Sequence, residues 1–334
     1  MKRTTLFFLT FAGALTLSAE TKSPFEIAHR GASGYLPEHT LPAVAMAHSL
    51  GASYIEQDVV LSSDGVPVVL HDITLEGITD VARRFPGRAR KDGKFYAIDF
   101  TLEELKSLVV RERFNPETGE LVHPGRFPAK GPTFRIVTFE ESLSLVAGLN
   151  TSTGRNAGVY VEVKRPAWHR AQGKDPAKAV VEMLGQFGYR EKEDACFIQC
   201  FEFDEVQRIR KELAWKGGLV QLLGGKKPGE GNSDFVRFRT PEGLKDLATW
   251  VDGIGPSIND VVTGSSPGEL RITNLVRDAH AAGLEVHPYT ANADGLPKWA
   301  ASYRELIAAL REAGVDGYFT DFPGLARAEN EVRP

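Results

Sequence analysis

The chain has 334 residues, 42% of them hydrophobic and 25% charged, with a formal net charge of -4. That is the composition of a soluble globular protein large enough for one α/β domain or two smaller ones. The balance excludes a general attraction to nucleic acid or to anionic membrane, so an anionic substrate would need local cations.

The first residues, MKRTTLFFLTFAGALTLSAE, join Lys2 and Arg3 to an apolar run from Leu6 to Leu17 that ends on small Ser18 and Ala19. This is the plan of a secretory signal, with cleavage expected near Ala19 and a periplasmic or secreted product. The run is short for a membrane span, and no later segment is long and apolar enough for one, so no stable membrane insertion is expected. A single domain is expected over residues 24–330.

Phe25 to Ala28 is a short apolar run ending in His29-Arg30-Gly31. Residues 40–50, TLPAVAMAHSL, open on the N-cap candidate Thr40, place Leu41, Val44, Ala45 and Leu50 at helical spacing and stop at Gly51, which predicts a helix. The β-rich runs 54–61 and 66–70 flank Ser62-Ser63-Asp64-Gly65 and predict a hairpin. Side chains alternate along a strand, so Glu56 and Asp58 share a face, and a turn centred on Asp64 and Gly65 returns His71 opposite residues 57–59. Taken alone, this hairpin reads equally well as an edge hairpin with solvated acids.

A long interruption, about 73–135, is rich in Arg, Gly and Pro, with one helix predicted at 102–108. Short apolar runs then recur at 159–164, 195–201, 218–223, 251–254, 284–289 and 317–320, alternating with helical segments such as 175–187, 204–213, 274–282 and 303–313. With the runs at 25 and 54 they make eight βα units, which predicts an α/β fold of the closed (β/α)8 TIM barrel type, with the long insertion after the second strand and its hairpin. A doubly wound sheet is the rival, but no glycine-rich phosphate fingerprint follows a strand. The two cysteines, Cys196 and Cys200, lie in one predicted strand roughly 13 Å apart. That exceeds the disulfide reach of about 7 Å, so both are read as buried thiols.

In a parallel barrel the strand ends carry the chemistry. His29 and Arg30 end the first strand, Glu56 and Asp58 lie late in the second, and Glu162 and Lys164 close the third, on one face of VYVEVK. Inward charges are costly unless paired or liganded. Glu56, Asp58 and Glu162 make an oxygen-only site suited to calcium or magnesium rather than zinc. Arg30 and Lys164 supply a clamp for an anion, and His29 and His71 a pair for proton transfer near neutral pH. Glu38 is a candidate for bonding substrate or a site loop, and Tyr289 for lining the pocket. Asp321 is read as a tie for the closing turn, the run 83–94 as basic and solvated or ringing the entrance, and His48, His123, His169 and His280 as surface residues.

HRGASGYLPEHT, EQD, the hairpin ending in HD, VEVK and GYFTDFP, in that order, resemble the glycerophosphodiester phosphodiesterases, the secreted bacterial branch in particular. The resemblance runs from Ile27 to Pro323. It implies a (β/α)8 barrel, one divalent cation, usually calcium in that branch, on Glu56, Asp58 and Glu162, phosphate contacts from Arg30, and His29 and His71 as the acid-base pair; His71 is taken as the acid, although the sequence does not order the two. The implied reaction is hydrolysis of glycerophosphocholine, glycerophosphoethanolamine and similar diesters to sn-glycerol 3-phosphate and an alcohol. His39 stands where many members have Asn, and Tyr289 where many have Trp. The rivals are a secreted adhesin-like binding protein on the same barrel and a phospholipase acting on intact lipids, though the latter would want an apolar rim. A homodimer is left open.

Overall fold

The structure is a computed structural model that describes residues 23–128, 130–225 and 231–331; the expected signal at 1–19 lies outside them. Eight parallel strands form the barrel: Phe25–Ala28, Tyr54–Leu61, Gly158–Val163, Cys196–Cys200, Gly218–Leu222, Gly253–Gly255, Glu285–Val286 and Gly317–Thr320. The first strand pairs along its whole length with the last, Phe25 opposite Gly317 through Ala28 opposite Thr320. The last closes on the seventh through Asp316 N–H to Val286 O (3.1 Å) and Ala291 N–H to Phe319 O (2.7 Å). A helix follows each strand, after the insertion in the case of the second, and closure leaves no free edge.

Inside the barrel, Ile27, Tyr160, Val220 and Phe319 stack with Phe25, Tyr54 and Phe197 into an aromatic plug. The opposite strand faces, among them Ile55, Val159, Val161 and Ile198, bury against the helices. That alternation puts Glu56, Asp58 and Glu162 on the inner face above the plug. His287 belongs to the plug: it is fully buried, with Nδ1 2.9 Å from the Tyr160 hydroxyl.

The hairpin's return arm, Pro67–Val69, pairs antiparallel with the second strand, Val59 opposite Val69, and lies off the barrel path. Its turn is held to the insertion, with Ser63 N–H donating to Phe100 O at 2.8 Å. The alternate face, Val60, Val68 and Leu70, is buried under Leu75, Ile78, Phe95, Phe100, Leu105 and Val110 in a second hydrophobic cluster. Each such side chain stabilises by about 1.5–3 kcal/mol when fully buried. This cluster seats residues 73–136 over one side of the barrel mouth. Among the described residues no helix is long and apolar enough to cross a membrane, and both cysteines are buried free thiols.

Candidate functional site

The loop after the first strand is built by backbone geometry. Arg30 (φ 58°) and Gly31 (φ 80°) turn the chain in left-handed conformations. A Cβ on Gly31 would stand 2.9 Å from the carbonyl carbon of Ala43, so glycine is needed there. His39 (φ 60°) and Arg165 (φ 45°) adopt the same unusual region. Non-glycine residues there cost roughly 1–3 kcal/mol each and gather at functional sites.

The acids follow from register. Asp58 lies opposite Glu162, and Glu162 opposite Gln199, on neighbouring strands. Glu56 Oε2 accepts from the backbone N–H of Arg30 at 2.7 Å. Lys164 Nζ pairs with Glu162 Oε1 at 2.7 Å and with Asp58 Oδ1 at 3.4 Å. Burial and the neighbouring charge of Asp58 push the Glu56 carboxyl well above its ordinary range, and burial raises that of Glu162 to about 7 against the pull of Lys164. For Asp58, burial is outweighed by Lys164, His71 and His39, which hold its carboxyl well below the usual range.

His39 joins this group: ligand-capable atoms of His39, Glu56 and Asp58 all lie within 4.8 Å of one another. Its Nε2 is 2.8 Å from Asp58 Oδ2. An ionised carboxylate only accepts, so Nε2–H is the donor and His39 orients Asp58. Asp58 Oδ1 is left buried without a hydrogen bond.

Both histidines predicted to move protons are anchored at Nδ1 by a carboxylate. His29 Nδ1 is 2.7 Å from Asp321 Oδ1, and His71 Nδ1 is 2.8 Å from Asp72 Oδ1. Each ring is thereby fixed with Nε2 as its working atom. Burial, then the charges of Arg30 and Lys164, depress His71 to about 4. Asp321 is therefore more than the tie for a closing turn that its place in TDFP suggests.

The insertion braces these dyads with two arginines. Arg113 donates to Glu38 (2.6 Å) and to Asp72 (2.6 Å), while Arg126 donates to Asp321 (2.7 Å) and Asp294 (3.0 Å). Glu38 also accepts from Arg30 at 3.0 Å, so it locks the predicted phosphate-binding arginine in place. Nothing in the sequence marks Arg113 or Arg126, because irregular backbone delivers both. In the run 83–94, by contrast, Arg88 and Arg90 bond Glu104 and Asp99 of the insertion itself. His48 and His169 are buried structural residues rather than surface ones, bonding Asn150 Oδ1 (3.0 Å) and Arg165 O (3.0 Å).

A cavity of about 140 Å³ brings together His29, Arg30, Glu56, His71, Glu162 and Tyr289. Phe201, Leu222 and Phe319 give it an apolar wall, and Gln199 a polar one that the alternation in CFIQC would have indicated. Tyr289 presents its ring while its hydroxyl donates to Leu223 O at 2.7 Å. Lys164 lines a neighbouring cavity with Glu162.

A TIM barrel with inward acids, an arginine and two carboxylate-anchored histidines at the C-terminal mouth of its strands is organised as a hydrolase. The chain belongs to the glycerophosphoryl diester phosphodiesterase family, whose profile matches residues 29–325. It is 40% identical over 316 residues to a glycerophosphodiester phosphodiesterase of Haemophilus influenzae, covering 89% of this chain and 87% of the other. It is 36% identical over 318 residues to one of Treponema pallidum, covering 90% and 89%. A phosphodiesterase of Oleispira antarctica, solved in complex with the product sn-glycerol-3-phosphate, shares the fold at a TM-score of 0.64 and 22% identity, over 93% of this chain and 98% of that one.

Proposed function

We propose that this chain is a periplasmic or secreted, calcium-dependent enzyme that hydrolyses glycerophosphodiesters such as glycerophosphocholine to sn-glycerol 3-phosphate and an alcohol, in glycerol and phospholipid catabolism. The observation that carries the reading is the convergence on one cavity of two histidines, each with Nδ1 held by a carboxylate, beside Arg30 and the crowded acids.

The acids fit a divalent cation. Asp58 Oδ1 is a buried oxygen without a hydrogen bond, and burial and mutual repulsion make the ionised forms of Glu56 and Glu162 costly. Glu56, Asp58 and Glu162 would hold the ion, Asp58 being oriented by His39, and an all-oxygen set favours calcium with magnesium next. When bound, the ion supplies positive charge against the phosphoryl oxygens as negative charge builds in the transition state.

Arg30 binds the phosphodiester, its guanidinium fixed by Glu38. Proton roles follow from surroundings. His71, depressed to about 4 by burial and by Arg30 and Lys164, is neutral near pH 7 and takes the proton of the nucleophile, water or the vicinal hydroxyl of the glycerol. His29 then protonates the departing alcohol through Nε2. This ordering differs from the sequence reading, which takes His71 as the acid.

Choline release from glycerophosphocholine and from intact phosphatidylcholine, each with and without EDTA, is the test. Turnover of the first substrate alone, abolished by EDTA, is expected. Binding without turnover would make the chain an adhesin-like protein, and turnover of the intact lipid a phospholipase. Fractionation with N-terminal sequencing of the mature chain checks export and cleavage near Ala19.

A further inference from the structure

A second cavity, of about 130 Å³, shares His29 and Arg30 with the first and lies between them and the insertion. Its other acids are accounted for: Glu38 is held by Arg30 and Arg113, and Asp321 by His29 and Arg126. Among the described residues Glu112 makes no ion pair. It is 4% exposed, and its Oε2 is buried with no hydrogen-bond partner. Burial, and the nearby charge of Glu38, raise its carboxyl to about 7, although the Arg113 backbone N–H and the charges of Arg126 and Arg113 pull it down. A buried carboxylate oxygen without a partner costs stability.

Glu112 also lines a further cavity of about 290 Å³ walled by Phe127 and Phe134, whose rings meet edge to face at 5.4 Å. Arg111 and Lys130 line that outer cavity as exposed residues, and neither pairs with Glu112. Glu112 thus stands between two cavities, one reaching His29 and the other walled by aromatic faces. Carboxylate and aromatic faces together suit an organic ammonium.

We propose that the cavity beside His29 receives the leaving alcohol and that Glu112 selects alcohols carrying an ammonium group, such as choline or ethanolamine, over neutral polyols. The assignment rests on the phosphodiesterase reading above and adds the substrate class of the leaving group. An arriving ammonium supplies the ion pair and the partner for Oε2 that Glu112 lacks among the described residues, whereas a hydroxyl brings no charge.

The test compares kcat/KM for glycerophosphocholine with kcat/KM for glycerophosphoglycerol, both followed by sn-glycerol 3-phosphate release. Glu112→Gln keeps the shape and removes the charge; Glu112→Asp keeps the charge and reports on any damage from substitution. The choline-to-glycerol ratio is expected to fall at least about tenfold in Glu112→Gln, the scale of one ion pair, and to recover in large part in Glu112→Asp. An unchanged ratio in Glu112→Gln overturns the assignment while leaving the phosphodiesterase reading intact. A wild-type protein that turns over neither substrate removes the basis of both.

Discussion

His29 and Asp321 are 292 positions apart in sequence, yet Nδ1 of the one and Oδ1 of the other stand 2.7 Å apart. Pairing of the first strand with the last brings them together. Asp321→Asn should keep the fold, since Arg126 still has Asp294, but it disturbs the tautomer and orientation of the ring. We expect kcat to fall by about a hundredfold or more with KM little changed. Steady-state kinetics on glycerophosphocholine checks this, and a wild-type kcat would deny Asp321 any positioning role.

Removal of the ion is expected to stop turnover and to lower the melting temperature, because crowded acids lose their counter-charge. Calcium at about a hundred times its Kd should restore about 2.7 kcal/mol of stability. Scanning calorimetry with EDTA and then calcium measures it. Glu56→Gln should bind calcium weakly and show little of that restoration; a full calcium response would remove Glu56 from the ion's ligands.

Arg113 touches no predicted catalytic atom, but it ties Glu38 to Asp72 and hence the arginine clamp to one histidine dyad. Arg113→Ala should lower kcat about tenfold or more with both histidines intact, and Arg113→Lys should recover only part, since a point charge cannot make the forked contact. Arg90→Ala, which loses its contacts to Asp99, is the control in the same insertion.

Glu112 gives a pH signature. Burial raises its carboxyl to about 7 in the folded state, above the ordinary glutamate value of about 4.5. Between those values the folded state holds the proton more tightly than the unfolded chain, so the contribution of Glu112 to stability falls as pH rises from about 4.5 to about 7. Glu112→Gln should therefore raise the melting temperature at pH 8 and change it much less at pH 4. Equal melting at both pH values would show that the carboxylate is not strained.

The barrel was legible because its strands are short apolar runs at regular intervals, and the inward acids because VYVEVK and YIEQDVVL alternate. The helix Phe139–Thr153 was less legible: Thr138 caps it with a capping box, but its Asn, Ser and Thr residues dilute the apolar stripe. His29, Arg30, Glu56, His71 and Glu162 could be placed because each sits at a strand or hairpin end, where periodicity fixes direction. Asp72 was adjacent to a predicted histidine and Asp321 lay in a motif, so their presence was visible but their partners were not. Arg113, Arg126 and Glu112 come from loops whose course is dictated by the second hydrophobic cluster, and no local pattern encodes that course. The reach of His39 to Asp58 likewise depends on a left-handed backbone that a histidine codon does not announce.

The closing strand gives the molecule a temporal order. Residues 317–321 are the last part of the barrel to be synthesised, yet they supply both the wall against the first strand and the partner of His29. A chain ending before Asp321 would lack the carboxylate that fixes the His29 ring, and one ending before residue 317 would also lack the strand that closes the barrel.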